Sequence, residues 1–143
     1  MLALEQPLID ELGKLPELVK VYGMAAFDDL ADFDDLEKAG KPTPCAFVIY
    51  DGYRVIESNR QRRAARVETR WLVVLAVKSA ASTIAGGQAR LAAAPLATTV
   101  LRTLLDWVPP PGYTPLSLET PPPPVFQAGA LLFPLAFATQ HVV

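Results

Sequence analysis

Among the side chains able to do chemistry, the chain holds one histidine, His141, and one cysteine, Cys45. An imidazole can act as a general base, but it needs a nucleophile to activate, and no serine or cysteine in a recognisable nucleophile context stands near His141 in sequence. A single thiol forms neither an intrachain disulfide nor a cysteine-based metal cluster, so Cys45 reads as a small hydrophobe in an apolar strand. Two pairs of adjacent carboxylates, Asp28-Asp29 and Asp34-Asp35, offer the oxygen ligands a divalent cation takes. The glycine and closing glutamate of a calcium loop are missing from their spacing, and they read as a solvated acidic face. Gly86-Gly87 is followed by no Lys-Ser/Thr pair and no glycine fingerprint, so it is no phosphate cradle. These residues predict no enzyme, no metal and no cofactor.

The remaining candidates are cations. Arg60, Arg62, Arg63 and Arg66 crowd the segment SNRQRRAARVETR at 58–70. Loop arginines can neutralise nucleic-acid phosphates, or they can pair with an acidic patch on another protein. Single-strand binding sites interleave aromatic side chains as stacking platforms, and none stands between residues 58 and 70. The same chain carries an acidic block of Asp28, Asp29, Asp32, Asp34, Asp35 and Glu37. Protein contact is therefore favoured, with Arg60, Arg62, Arg63 and Arg66 on one side and Asp28, Asp29, Asp34 and Asp35 on the other. A phosphate- or nucleic-acid-binding module is the alternative.

A strand must position this cluster. Its odd positions are Val67, Thr69, Trp71, Val73, Leu75 and Val77, while the even ones change from Glu68 and Arg70 to Leu72, Val74 and Ala76. Such a strand starts half-solvated and ends buried on both faces, which predicts a hairpin arm projecting from the body with the arginines near its tip. Its antiparallel partners are expected at 45–50 and 53–57, separated by a turn at Asp51-Gly52.

Upstream, Leu4, Leu8, Ile9 and Leu12 recur at helical spacing ahead of Gly13 and Pro16, predicting a helix over about 3–13, and 18–22 reads as a short strand. The acidic run FDDLADFDDL at 27–36 fits a short helix or an irregular loop equally. Residues 79–87 read as a small, flexible linker. Residues 88–108 carry a broad apolar face through Leu91, Ala94, Ala97, Val100, Leu101, Leu104 and Leu105, opposite a polar stripe, and predict a helix. Pro95 inside it predicts a kink or the meeting of two helices. A short strand is expected at 116–120, a stiff proline spacer at 121–124, and a closing strand at 125–143. Ala128, Ala130, Ala136 and Ala138 give that strand a small face suited to a closely packed helix. Pro134 has no amide to donate, which predicts a sheet edge or a bulge.

At 143 residues the chain fits one domain, 1–143, large enough to bury roughly 70% of its unfolded surface. Its net charge of −2 is unevenly laid out, since after Lys78 only Arg90, Arg102, Asp106 and Glu119 are formally charged. A half so poor in charge predicts cover by helices or by neighbouring subunits. The N-terminus lacks the pattern of a signal peptide, and no run reaches the ~20 apolar residues a membrane span needs. A soluble intracellular protein without a membrane partner is expected.

This order of elements, with RQRRAARVETRWLVVLAV at 60–77 and the helix ending Leu105-Asp106-Trp107-Val108-Pro109, resembles the tail terminator proteins of long-tailed bacteriophages, in particular the Mu-like tail-terminator-like family. The resemblance implies an α/β (α+β) fold, a mainly antiparallel sheet with a projecting hairpin, flanked by an N-terminal helix and one long kinked helix. It implies a structural virion protein, a homo-hexameric ring seated on the last ring of tail-tube protein, which ends tube growth and faces the head–tail connector protein. DNA would pass through the lumen without sequence-specific contact. The protein would reside in the virion tail, and in the host cytoplasm during assembly. The proline run at 121–124 has no counterpart in that pattern.

Overall fold

The computed structural model describes residues 2–28, 42–78, 87–127 and 130–143. A 3-10 turn, Leu2–Leu4, leads into α1 (Glu5–Leu12), then β1 (Lys20–Tyr22), α2 (Met24–Asp28), β2 (Cys45–Asn59), β3 (Ala64–Val77), α3 (Gly87–Asp106), β4 (Ser117–Glu119), β5 (Val125–Gln127) and β6 (Ala130–Val142). The strands form one sheet in the order β1-β2-β3-β6-β4, with β5 also paired to β6. Only β1 runs parallel to its neighbour; every other pairing is antiparallel. The fold is α+β with a mostly antiparallel sheet.

Period-two alternation gives the sheet two different faces. Trp71, Val73, Leu75 and Val77 of β3, with Leu131, Leu135 and Phe137 of β6, form the core against Leu4 of the opening turn, against α1 through Leu8 and Leu12 and against α3 through Ala93, Leu96, Ala97, Val100 and Leu104. Each large side chain buried there contributes about 1.5–3 kcal/mol. On the other face, Cys45, Phe47, Val74, Ala76, Ala130 and Leu132 pack beneath Tyr22, Ala26 and Phe27. This second layer covers only the end of the sheet nearest β1. The rest of that face carries charge.

Expectations change at Gly52 and Pro134, and are narrowed at the alanines of β6 and at Pro95. Asp51-Gly52 is no hairpin turn: β2 runs on to Asn59, and its register against β3 shifts between Tyr50 and Tyr53. Gly52, at φ 90°, makes a bulge, because β3 is long enough to pair both halves of β2. The hairpin turn lies instead at residues 60–63. Pro134 neither breaks β6 nor lies on an edge strand, since β3 pairs β6 without a register shift from Arg66↔Val142 to Val77↔Leu131. Gln140 shows why: its N–H bonds Thr114 Oγ1 and its carbonyl accepts from Thr114 N–H, so residues of even number in β6 aim their backbone groups away from β3. The missing amide of Pro134 therefore faces the gap between β5, paired at 130–132, and β4, paired at 136–138.

On the alanine face of β6, Ala130 lies in the cluster packed beneath the short helix α2, while α3 packs on the opposite face. Ala136 and Ala138 instead lie in the rows of Leu72 and Arg70, where the Arg70 side chain reaches across β6 to donate to the Thr120 carbonyl at 2.7 Å. Of the two outcomes expected at Pro95, the meeting of two helices is excluded: α3 is one element from Gly87 to Asp106 with Pro95 inside it. Thr98 and Thr99 return hydroxyl hydrogen bonds to the carbonyls of Ala94 and Pro95. The acidic run beyond Asp28 and the linker at 79–86 lie outside the described residues. Among the described residues, no helix is long and apolar enough to cross a membrane.

Candidate interaction surface

The arginine tip is closed by Asn59, whose Oδ1 accepts from the Gln61 and Arg62 amides at 3.0 and 3.1 Å. Arg63 takes the left-handed conformation, φ 50°, and its amide donates to Arg60 O at 3.4 Å. An arginine held there costs about 1 kcal/mol relative to glycine; the turn accepts it and turns the guanidinium outward. Arg60, Arg62, Arg63 and Arg66 are all exposed. Among the described residues none of the four has an ion pair.

Behind the tip the arm is braced on one side only. β6 follows β3 to its start, where Ala65 and Val143 exchange backbone hydrogen bonds at 3.2 and 2.9 Å. Among the described residues β2 has no such cover. β1 pairs only Cys45, Ala46 and Phe47, and from Tyr53 to Asn59 every residue of β2 is exposed, including Tyr53, Val55 and Ile56.

The open face of the arm carries a charged ladder. Arg54 pairs with Glu68 at 3.0 Å, and Gln140 donates to the second Glu68 oxygen at 3.5 Å. One row along, Arg70 meets Asp51 at 2.8 Å. An open cavity of about 350 Å³ lies above, lined by Asp51, Tyr53, Arg54, Glu68, Arg70 and Glu119. Most of those charges already satisfy one another, so the hollow is poorly equipped to bind a charged ligand.

The two residues with catalytic potential are packed and far apart. His141 is buried against Tyr113, ring centres 4.8 Å apart, and among the described residues neither ring nitrogen has a hydrogen-bond partner. Burial pulls its pKa below the ordinary imidazole value, which leaves the ring neutral near pH 7. Cys45 is fully buried and lies opposite Ala76, whereas His141 lies opposite Val67. Nine residues of β3 separate those rows, roughly 30 Å at ~3.4 Å per residue. They cannot act as a pair. Among the described residues no group of three His, Cys, Asp or Glu side chains could hold a metal. Asp28 closes α2; its side chain, with Asp29, Asp34 and Asp35, lies outside what is described.

Sequence reasoning found the arginines by residue type but missed the apolar strip beside them. Tyr53-Arg54-Val55 alternates as any half-buried strand does, and exposure of its apolar side follows only from which strands lie beside it.

An uncovered strand, an apolar strip and a cationic tip are features suited to contact with other macromolecules. The chain belongs to the phage tail terminator family, whose model, described as phage tail terminator protein, matches residues 2–143. It is a structural virion protein of bacteriophage tail assembly. No curated protein matches the chain.

Proposed function

We propose that the chain acts as one domain and assembles as a hexameric ring on the head-proximal end of the tail tube. The ring ends tube growth and presents the joining surface for the head–tail connector. DNA passes through its lumen without sequence-specific contact, and assembly takes place in the host cytoplasm before the ring is built into the virion.

The observation that supports this reading beyond family membership is the arm tip, with Arg60, Arg62, Arg63 and Arg66 exposed and, among the described residues, without ion pairs. Solvated cations that nothing among the described residues neutralises are suited to steering and docking an acidic partner. The acidic segment with Asp28, Asp29, Asp34 and Asp35 on a neighbouring copy is the partner we assign. Reversing the tip (Arg60, Arg62 and Arg63 to Glu) should abolish assembly, and reversing Asp29, Asp34 and Asp35 to Lys in the same chain should restore it in part. Loss of assembly that the second set never rescues points instead to the tube or connector protein. Normal assembly with failed DNA delivery moves the arginines to the lumen, facing phosphate.

A further inference from the structure

Exposed apolar side chains gather at two opposite edges of the sheet, on the same face. Tyr53 and Val55 of β2 stand opposite Thr69 and Val67, on the face that holds Trp71 and the two long helices. Each is 55% exposed, and Ile56 at the register shift is 41% exposed. At the far edge, Leu118 of β4 is paired with Phe137 and Phe126 of β5 with Leu131, which places both on that face too. Each is 50% exposed. Between β4 and β5, where the ladder on β6 lapses around Pro134, an apolar cavity of about 320 Å³ opens under α3, lined by Ala97, Leu101, Leu118, Pro121 and Phe133.

The opposite face of β2 and β4 is polar, while β5 turns Val125 to that side. Arg54 stands on β2 in the row of Glu68, and Glu119 stands on β4 in the row of Ala136, both on the charged side. Glu119 has no ion pair among the described residues. Beyond the three residues paired to β1, no described strand lies along the outer edge of β2, and none lies outside β4 or β5. A long uncovered strand with apolar side chains invites pairing by another chain.

We infer that each edge is covered by the other edge of a second copy, so that β2 of one subunit lies beside β4 and β5 of the next. This rests on the ring reading above and adds which surfaces mate. A sheet continued across the junction keeps its faces. Tyr53 and Val55 then come beside Leu118, while Arg54 between them comes beside Glu119, and Phe126, six rows along β6 from Leu118, meets another part of β2; the flipped arrangement would set both apolar strips against charge. Because the two edges differ, the contact is head-to-tail, and repetition by a closing rotation gives a ring.

Two variants of the full chain test this by native mass spectrometry: Val55→Asp, which spoils only the β2 edge, and Leu118→Asp, which spoils only the far edge. Both sites are half-exposed, and unchanged circular dichroism verifies folding. Each variant alone should remain a single copy at concentrations about 30-fold above those at which the parent assembles. An equimolar mixture should form a dimer and stop there, since one intact β2 edge meets one intact far edge and both outer ends are spoiled. Assembly of either variant like the parent overturns the edge pairing and leaves the ring standing. A mixture that stays at one copy, or that builds full rings, also overturns it. A parent that never exceeds one copy, with or without the ends of tail tubes, removes the ring reading and the edge pairing together.

Discussion

Arg70 on β3 holds Asp51 on β2, Nε to Oδ2 2.8 Å, while a terminal nitrogen of the same guanidinium donates to the Thr120 carbonyl at 2.7 Å. One side chain ties the bulge of β2 to the end of β4 across the alanine rows of β6. The Nε approach is a charge contact without the alignment of a hydrogen bond.

Arg70→Lys removes the fork and leaves a single ammonium that cannot serve both partners. The expected loss is about 1 kcal/mol in chemical denaturation, because the two side chains are 36% and 42% exposed and solvent screens the charge contact. Asp51→Asn should cost less, since the Thr120 bond survives. A larger loss for Asp51→Asn than for Arg70→Lys contradicts this division.

Gly52 sits at φ 90° with nothing within 4 Å of the place a Cβ would occupy. The cost of Gly52→Ala is then conformational alone, about 1 kcal/mol. The denaturation midpoint should fall with an unchanged slope. A neutral substitution would mean that the bulge can change its backbone without loss.

Burial lowers the pKa of His141 from its ordinary 6.5. Below about pH 6.5 the unfolded chain therefore binds a proton that the folded chain resists, and stability rises with pH through that window. Stability is full above the unfolded value and declines as pH falls towards the folded one. His141→Phe keeps a ring against Tyr113 and removes the titration, so unfolding free energies measured from about pH 7 to 5 should show a flatter acid slope. An unchanged slope would assign the acid sensitivity to carboxylates.

The Arg60, Arg62 and Arg63 triple change to Ala should move stability by no more than about ±0.5 kcal/mol per site, because the side chains are solvated and anchor nothing. Calorimetry reads that outcome. Association should slow, and its dependence on salt should flatten relative to the parent. A large fall in melting temperature would show the tip to be part of the fold.

Helices α1 and α3 and strand β3 were legible because their apolar spacing serves packing inside the chain, and such spacing is local. The role of Gly52 was not. A tight turn and a bulge both call for a glycine at positive φ, and only the unbroken length of β3, which pairs residues on both sides of Gly52, decides between them. Pro134 was misjudged for a related reason: its missing donor signals an absent neighbour on one side, but not how short the gap is. The arginines could be found by type, and the turn that exposes them is closed by Asn59. The apolar edges were invisible in sequence, since exposure of Tyr53 and Leu118 depends on where the sheet stops.

The chain is proposed to end tube growth as a ring. Electron microscopy of tails assembled with and without it measures this directly. With the chain present, tails should share one length and carry a ring of one defined copy number at the head-proximal end; without it, tubes should overrun that length and fail to join heads. Tails of normal, uniform length in its absence would contradict the account.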